Sequence, residues 1–180
     1  MRLELTIDRL GAQGDGVADT AAGPVYVPFT LPDERIAAEV DGERGRLVSV
    51  LQASPARVAP VCRHFGTCGG CALQHLEADG YRSFKRATVI AALASRGIEA
   101  EVETLAAIGP GTRRRAVFAA TRSGGGVRLG FHSARAADIV EITECPILLP
   151  AIARILPGLP ALLMPLLSRR GEARVGVTAA

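Results

Sequence analysis

The chain has 180 residues, 48% apolar and 22% charged, a globular balance that excludes the disordered and collagen-like classes. Tryptophan is absent and aromatics make up 4%, so the core must be aliphatic. The net charge of +3 is unevenly spread: residues 1–55 carry five Arg against nine acids, and residues 56–180 carry sixteen bases against nine acids. An anionic partner is therefore expected to meet the second part. Twenty of the 21 bases are Arg, a bias that genome composition produces as readily as phosphate recognition does.

The N-terminus, MRLELTIDRL, alternates charged and apolar residues and has neither the apolar run of a signal peptide nor the makeup of a transit peptide. Residues 2–8 alternate as a half-buried strand does. A turn with Gly11, Gly14 and Gly16 follows, then a strand around Val25–Pro28 and two more over Ile36–Val40 and Gly45–Leu51. Four or five short strands in about 50 residues close most simply into a small β-barrel, which hides strand edges. Residues 1–55 are expected to be that barrel. Gln52–Pro60, with two prolines, reads as a linker.

Residues 56–180 read as an α+β domain. Tyr81, Phe84, Thr88 and Leu93 recur at helical spacing between Glu77 and Gly97, and Gly97 suits a C-terminal cap. Strands are expected over Glu101–Leu105, Arg115–Thr121, Val127–Phe131 and Asp138–Ile142, with SGGG at 123–126 as a hairpin turn in a mostly antiparallel sheet. The apolar stretch Cys145–Leu167 holds Arg154 and five prolines, so short packed helices fit it and a membrane span does not. The last residues, GEARVGVTAA, look like a strand just begun with nothing after it to pair against, as in a chain cut short.

The four cysteines fall as Cys62-x5-Cys68-x2-Cys71-x73-Cys145. With no export signal they are expected to be reduced and cytoplasmic, which favours metal or redox chemistry over disulfides. Two thiolates two residues apart bind one centre only through a tight turn, which Gly69-Gly70 permits. Cys145 precedes Pro146, as the last cysteine of the bacterial ferredoxin run precedes a proline. Four thiolates can hold tetrahedral zinc or an iron–sulfur cluster, and the spacing leaves both open. Inert buried cysteines and a thioredoxin-like redox pair are the competing readings, the second weakened by the absence of a βαβ unit. His64 and His75 flank the loop and, with four cysteines available, read as supporting or surface groups.

The block VCRHFGTCGGCALQHLEADGYRSFKRATV resembles the cluster segment of the bacterial RNA (uracil-5-)-methyltransferases that carry a [4Fe-4S] centre. LTIDRLGAQGDGVADTAAGPVYVPFTLPDERIAAEV is similar to their TRAM domain, a small OB-like β-barrel, and LGFHSARAADIVEITECPILLPAI to the end of their central domain. The resemblance implies that Cys62, Cys68, Cys71 and Cys145 are the cluster ligands. It also implies a basic RNA-contacting stretch: where the family has Tyr-Arg-Asn-Lys, this chain has Thr112-Arg113-Arg114-Arg115. Arg113, Arg114, Arg115 and Lys85 are the residues expected to touch RNA, ribosomal RNA foremost. A solvated charge run is the alternative for the triple Arg.

The family's S-adenosylmethionine site, nucleophilic cysteine and general base belong to a C-terminal Rossmann-like domain, and this sequence stops where that domain is expected to begin. GAQGDG at 11–16 and SGGGVRLG at 123–130 do not replace its Gly-rich loop, since neither opens a helix. The expectation is a monomeric, cytoplasmic, RNA-binding and cluster-bearing part of a methyltransferase, with no membrane partner and no methylation by this chain alone. The alternative is a stand-alone RNA-binding module with a zinc or iron–sulfur staple.

Overall fold

The computed structural model describes every residue except Ala107 and Arg135. It is mostly sheet, and its contacts divide it into two compact units, one of Met1–Pro60 with Ala72–Ala107 and one of Val61–Cys71 with Ile108–Ala180.

In the first unit six strands form one sheet: β1 (Arg2–Thr6), β2 (Arg9–Leu10), β3 (Gly16–Thr20), β4 (Gly23–Val27), β5 (Arg35–Asp41) and β6 (Arg44–Gln52). Their order is β1-β5-β6-β4-β3-β2. The two outer strands, β1 and β2, are successive stretches of the run Arg2–Leu10, so the sheet curls until both its edges meet in one segment of chain. Two hydrogen bonds carry the pairing across the break between them, Ile7 N–H to the Glu34 carbonyl and Asp8 N–H to that of Val17 (2.9 and 2.8 Å). Leu5, Ile7, Ala18, Val25, Val27, Ile36, Ala38 and Val40 form the interior, aliphatic as the composition requires. The strand β3 is additional to those expected: GVADT follows the glycine-rich turn and pairs with β4 over five residues, from Gly16–Val27 to Thr20–Gly23.

Gln52–Pro60 is no free linker. Ser54 is buried, Val58 N–H reaches the His75 carbonyl and Glu77 N–H reaches that of Ala56, both at 2.9 Å. Leu31, Leu73 and Leu76 form a small second core here, with Leu10, Ala56 and Phe84 against it. Helix α1 (Ala78–Ala94) follows. It ends as its glycine forecasts, with Gly97 in the left-handed region (φ 69°) and Ile98 N–H turned back to the Leu93 carbonyl. No residue of α1 is buried. The strand expected at Glu101–Leu105 does not form. That segment has no sheet partner among the described residues, and its Val102 carbonyl accepts instead from the Arg86 guanidinium at 2.7 Å.

In the second unit β7 (Arg115–Ser123), β8 (Gly126–His132), β9 (Ile139–Glu141) and β10 (Glu172–Thr178) make an antiparallel sheet ordered β10-β7-β8-β9. The β7–β8 turn closes with Ser123 opposite Gly126, as the SGGG signal predicts. The final strand does have a partner: β10 pairs with β7 over seven residues, from Glu172–Thr121 to Thr178–Arg115. Cys145–Leu167 holds the short proline-punctuated helices expected, α2 (Pro150–Ile155), a 3-10 turn (Leu156–Gly158) and α3 (Leu159–Leu163). Their Ile152, Leu156 and Leu159 meet Phe118, Ala120 and Leu129 of the sheet in the core. No helix among the described residues is long and apolar enough to cross a membrane.

Candidate metal centre

The segment 61–71 is held against the end of β8 by backbone bonds. Gly69 N–H donates to the His132 carbonyl (2.9 Å), Ala134 N–H to that of Thr67 (3.0 Å), and Cys68 bridges to Ser133 in antiparallel fashion. A side chain cannot stand at position 69: a Cβ there would lie 2.9 Å from the His132 carbonyl oxygen and 3.1 Å from that of Ser133. This is the physical reason for glycine at the first position between Cys68 and Cys71. A Cβ at Gly70 would meet the Phe131 ring at 3.7 Å, and Phe131 in turn tilts against buried Phe118, their centroids 5.0 Å apart. The sheet core thus reaches directly under the CGGC turn. Within the loop, Cys68 N–H donates to the His64 carbonyl at 2.9 Å.

All four cysteines are half-buried and lie in the second unit. Burial pushes the Cys68 thiol up, and Cys71, Cys145 and Cys62 press it the same way, against the Gly70 N–H that donates to its Sγ at 3.4 Å. Cys68 therefore senses the other three, including Cys145, 77 positions away. Among the described residues no three His, Cys, Asp or Glu side chains are arranged to hold a single metal ion. The donor chemistry fits a thiophilic centre: four reduced thiols in one electrostatic neighbourhood, backed by an apolar sheet.

Of the two histidines that flank the loop, His64 is half-buried; its carbonyl accepts from Cys68 N–H and its Nε2 from the Arg63 Nε at 3.4 Å. His75 is no surface group. It is completely buried in the first unit, apart from the unit that holds the cysteines, and burial and the Arg57 charge lower its pKa to about 4. Sequence reading also missed its neighbour Glu34, which is completely buried. The Glu34 carboxylate accepts from Leu31 N–H (2.9 Å), from Ser54 N–H (3.3 Å), and from Arg57 on both oxygens (2.5 and 2.8 Å). Burial pushes the Glu34 carboxyl up, but Arg57 and the two N–H groups outweigh it and hold the carboxyl below its usual range.

Arg113, Arg114 and Arg115 are exposed, and among the described residues none is ion-paired. Their backbone is anchored to the stretch just after Cys145. Gly111 N–H donates to the Pro146 carbonyl (2.8 Å), Arg113 N–H to that of Ile147 (3.0 Å), and Leu149 N–H to that of Arg113 (3.0 Å). Arg115 begins β7. The Arg114 carbonyl accepts from Ala179 N–H at 2.9 Å, and its Nε donates to the Ala179 carbonyl at 3.3 Å. Lys85 lies on α1 in the other unit, its ammonium over the rings of Tyr81 and Phe84 at 5.6 and 5.9 Å.

An RNA methyltransferase of Mesorhizobium japonicum, itself uncharacterised, is 49% identical over 162 residues, 90% of this chain and 39% of the relative. The 23S rRNA (uracil(1939)-C(5))-methyltransferase RlmD of Halomonas elongata is 43% identical over 164 residues, 86% of this chain and 34% of the relative. The crystal structure of the Pyrococcus abyssi tRNA (uracil-54, C5)-methyltransferase with S-adenosyl-L-homocysteine superposes on 91% of this chain and 37% of its own, with a TM-score of 0.63 and 28% identity. Over most of its length the chain is similar to RNA methyltransferases, among them RNA (uracil-C5)-methyltransferases. It spans between 34% and 39% of the length of these relatives. No family model matches it. The CGGC loop and the Arg113–Arg115 run both lie in the portion that these methyltransferases share with this chain.

Proposed function

We propose that this chain forms the RNA-recognising, [4Fe-4S]-bearing part of an S-adenosylmethionine-dependent enzyme that methylates C5 of uridine, in ribosomal RNA. Residues 1–55 are its TRAM domain, an OB-like barrel, and residues 56–180 its central domain. The carrying observation is the backbone ladder between 111–113 and 146–149, which couples the position of Cys145 to the start of the Arg113–Arg115 run. Cys62, Cys68, Cys71 and Cys145 would hold the cluster, which would supply iron–thiolate bonds to segments far apart in sequence. The backbone bonds to 146–149 set where Arg113 stands at the start of β7. The guanidinium groups of Arg113, Arg114 and Arg115 grip phosphate by paired N–H donors, with Lys85 as a further contact. The uneven charge supports this reading, because the cationic excess lies beyond residue 55. The S-adenosyl-L-homocysteine in the Pyrococcus complex supports S-adenosylmethionine as methyl donor of the whole protein.

Two measurements test it. Anaerobically purified chain should show a broad band near ~400 nm and about four irons. One zinc and no band would replace the cluster with a zinc staple and favour a non-catalytic RNA-binding module. Changing Arg113, Arg114 and Arg115 to Ala should weaken binding to a ribosomal RNA fragment and flatten its salt dependence. On a single strand the log–log slope should shrink by about 0.7 for each phosphate that is no longer neutralised. Unchanged binding would move the RNA to another surface.

A further inference from the structure

Three of the thiols come from residues 62–71 and the fourth from residue 145, so something must bring two remote segments together before any metal can bridge them. The bonds from 67–69 to the end of β8 position Cys68 and Cys71 but leave the Cys62 end of the loop to other contacts. That end carries Arg63. Its Nη2 donates to the Thr143 hydroxyl at 2.8 Å, and its Nε lies 3.0 Å from the Glu144 carboxylate. Arg63 adjoins Cys62, and Glu144 adjoins Cys145. One guanidinium therefore ties the residue after the first thiol to the two residues before the fourth.

We infer that Arg63 is a positioning residue, a metal-independent latch that ties the Cys62 end of the loop to the residues just before Cys145. This rests on the reading of the four cysteines as a metal centre. The planar fork suits the task, because it addresses a hydroxyl and a carboxylate at once. Both ionic partners are more than half exposed, so the latch adds little to the stability of the whole fold. Its effect falls on a local distance, where a small change in arrangement alters how long a metal stays bound.

The test uses the whole chain, reconstituted anaerobically with ferrous iron and sulfide, in wild-type, Arg63→Ala, Arg63→Lys, Arg63→Glu and Arg63→Glu/Glu144→Arg forms. Iron release to an excess of ferrous chelator should be about tenfold faster for Arg63→Ala. It should be intermediate for Arg63→Lys, fastest for Arg63→Glu, and slowed again in the charge-swapped pair. Thermal unfolding of the metal-free proteins should coincide, which a merely structural role would not allow. Equal release rates for wild type and Arg63→Ala overturn the latch. A wild-type chain that takes up no metal overturns the metal centre instead, and the latch is then read without metal. In a Cys68→Ser/Cys71→Ser background, disulfide formation between Cys62 and Cys145 in a glutathione buffer should fall several-fold with Arg63→Ala, and an unchanged yield overturns it.

Discussion

His75 and Gly69 are held by opposite constraints, one by what surrounds its side chain and the other by having none. The His75 ring is neutral when folded, whereas in the unfolded chain it takes a proton near pH 6.5. Below that pH the unfolded state binds a proton that the folded state refuses, so stability falls from about pH 6.5 to about 4, by ~3 kcal/mol at most. His75→Gln should unfold at nearly the same urea midpoint at pH 6.5 and pH 4.5, while wild type loses ground; parallel curves would assign the acid sensitivity elsewhere. Glu34, whose carboxyl is held low, adds its own loss only at still lower pH, as it becomes protonated. Gly69→Ala forces a Cβ onto the His132 carbonyl oxygen, at a cost of ~1–3 kcal/mol, and should lower iron uptake through displacement of Cys68. Full uptake by that variant would mean the loop is not seated on β8. The role of Gly69 was legible in part, since a CxxC turn demands small residues. His75 and Glu34 were not legible, because a lone polar residue beside a turn gives no sign that remote segments will close over it.

At the scale of elements, hydrophobic alternation located most strands, and capping residues located the end of α1. The two misses run in opposite directions. GVADT does not alternate, since Val17 and Ala18 are adjacent and both buried, yet it found β4 as a partner; EVETL alternates and met only the Arg86 guanidinium. Alternation states which face a strand would bury, not whether a neighbour exists to pair with it. The same limit hid the pairing of β10, whose partner β7 lies some 50 residues earlier. Phe118 joins the two ends of this sheet's work: completely buried, it packs the core and backs Phe131 beneath the cysteine turn. Phe118→Ala should cost ~3–5 kcal/mol and loosen the 67–70 loop together with the sheet. Unfolding at the wild-type midpoint would show that the core had closed over the gap.

On the scale of the molecule, the chain passes between its two compact units at 60/61, 71/72 and 107/108. The CGGC loop therefore belongs with sheet strands that follow it by more than 40 residues, while the ALQH that continues it belongs with the curled sheet. A composition scan sees the charge change near residue 55 but not this interleaving, which only tertiary contacts define. Metal loading should raise hydrogen-exchange protection at 61–71 and 139–149 and leave β5 and β6 unchanged. Protection spread evenly over both units would mean that the thiols do not act as a local tie.

The 73 residues between Cys71 and Cys145 also set a schedule during synthesis. At about 5–20 residues per second, a ribosome delivers the fourth cysteine some 4–15 s after the third. For most of that interval three thiols stand on a nascent loop whose docking strand, β8, is not yet made, and the guanidinium partners at 143–144 follow only at its end. If the four cysteines form the proposed centre, the first three must stay reduced through synthesis, and no complete ligand set exists to load until translation has passed residue 145.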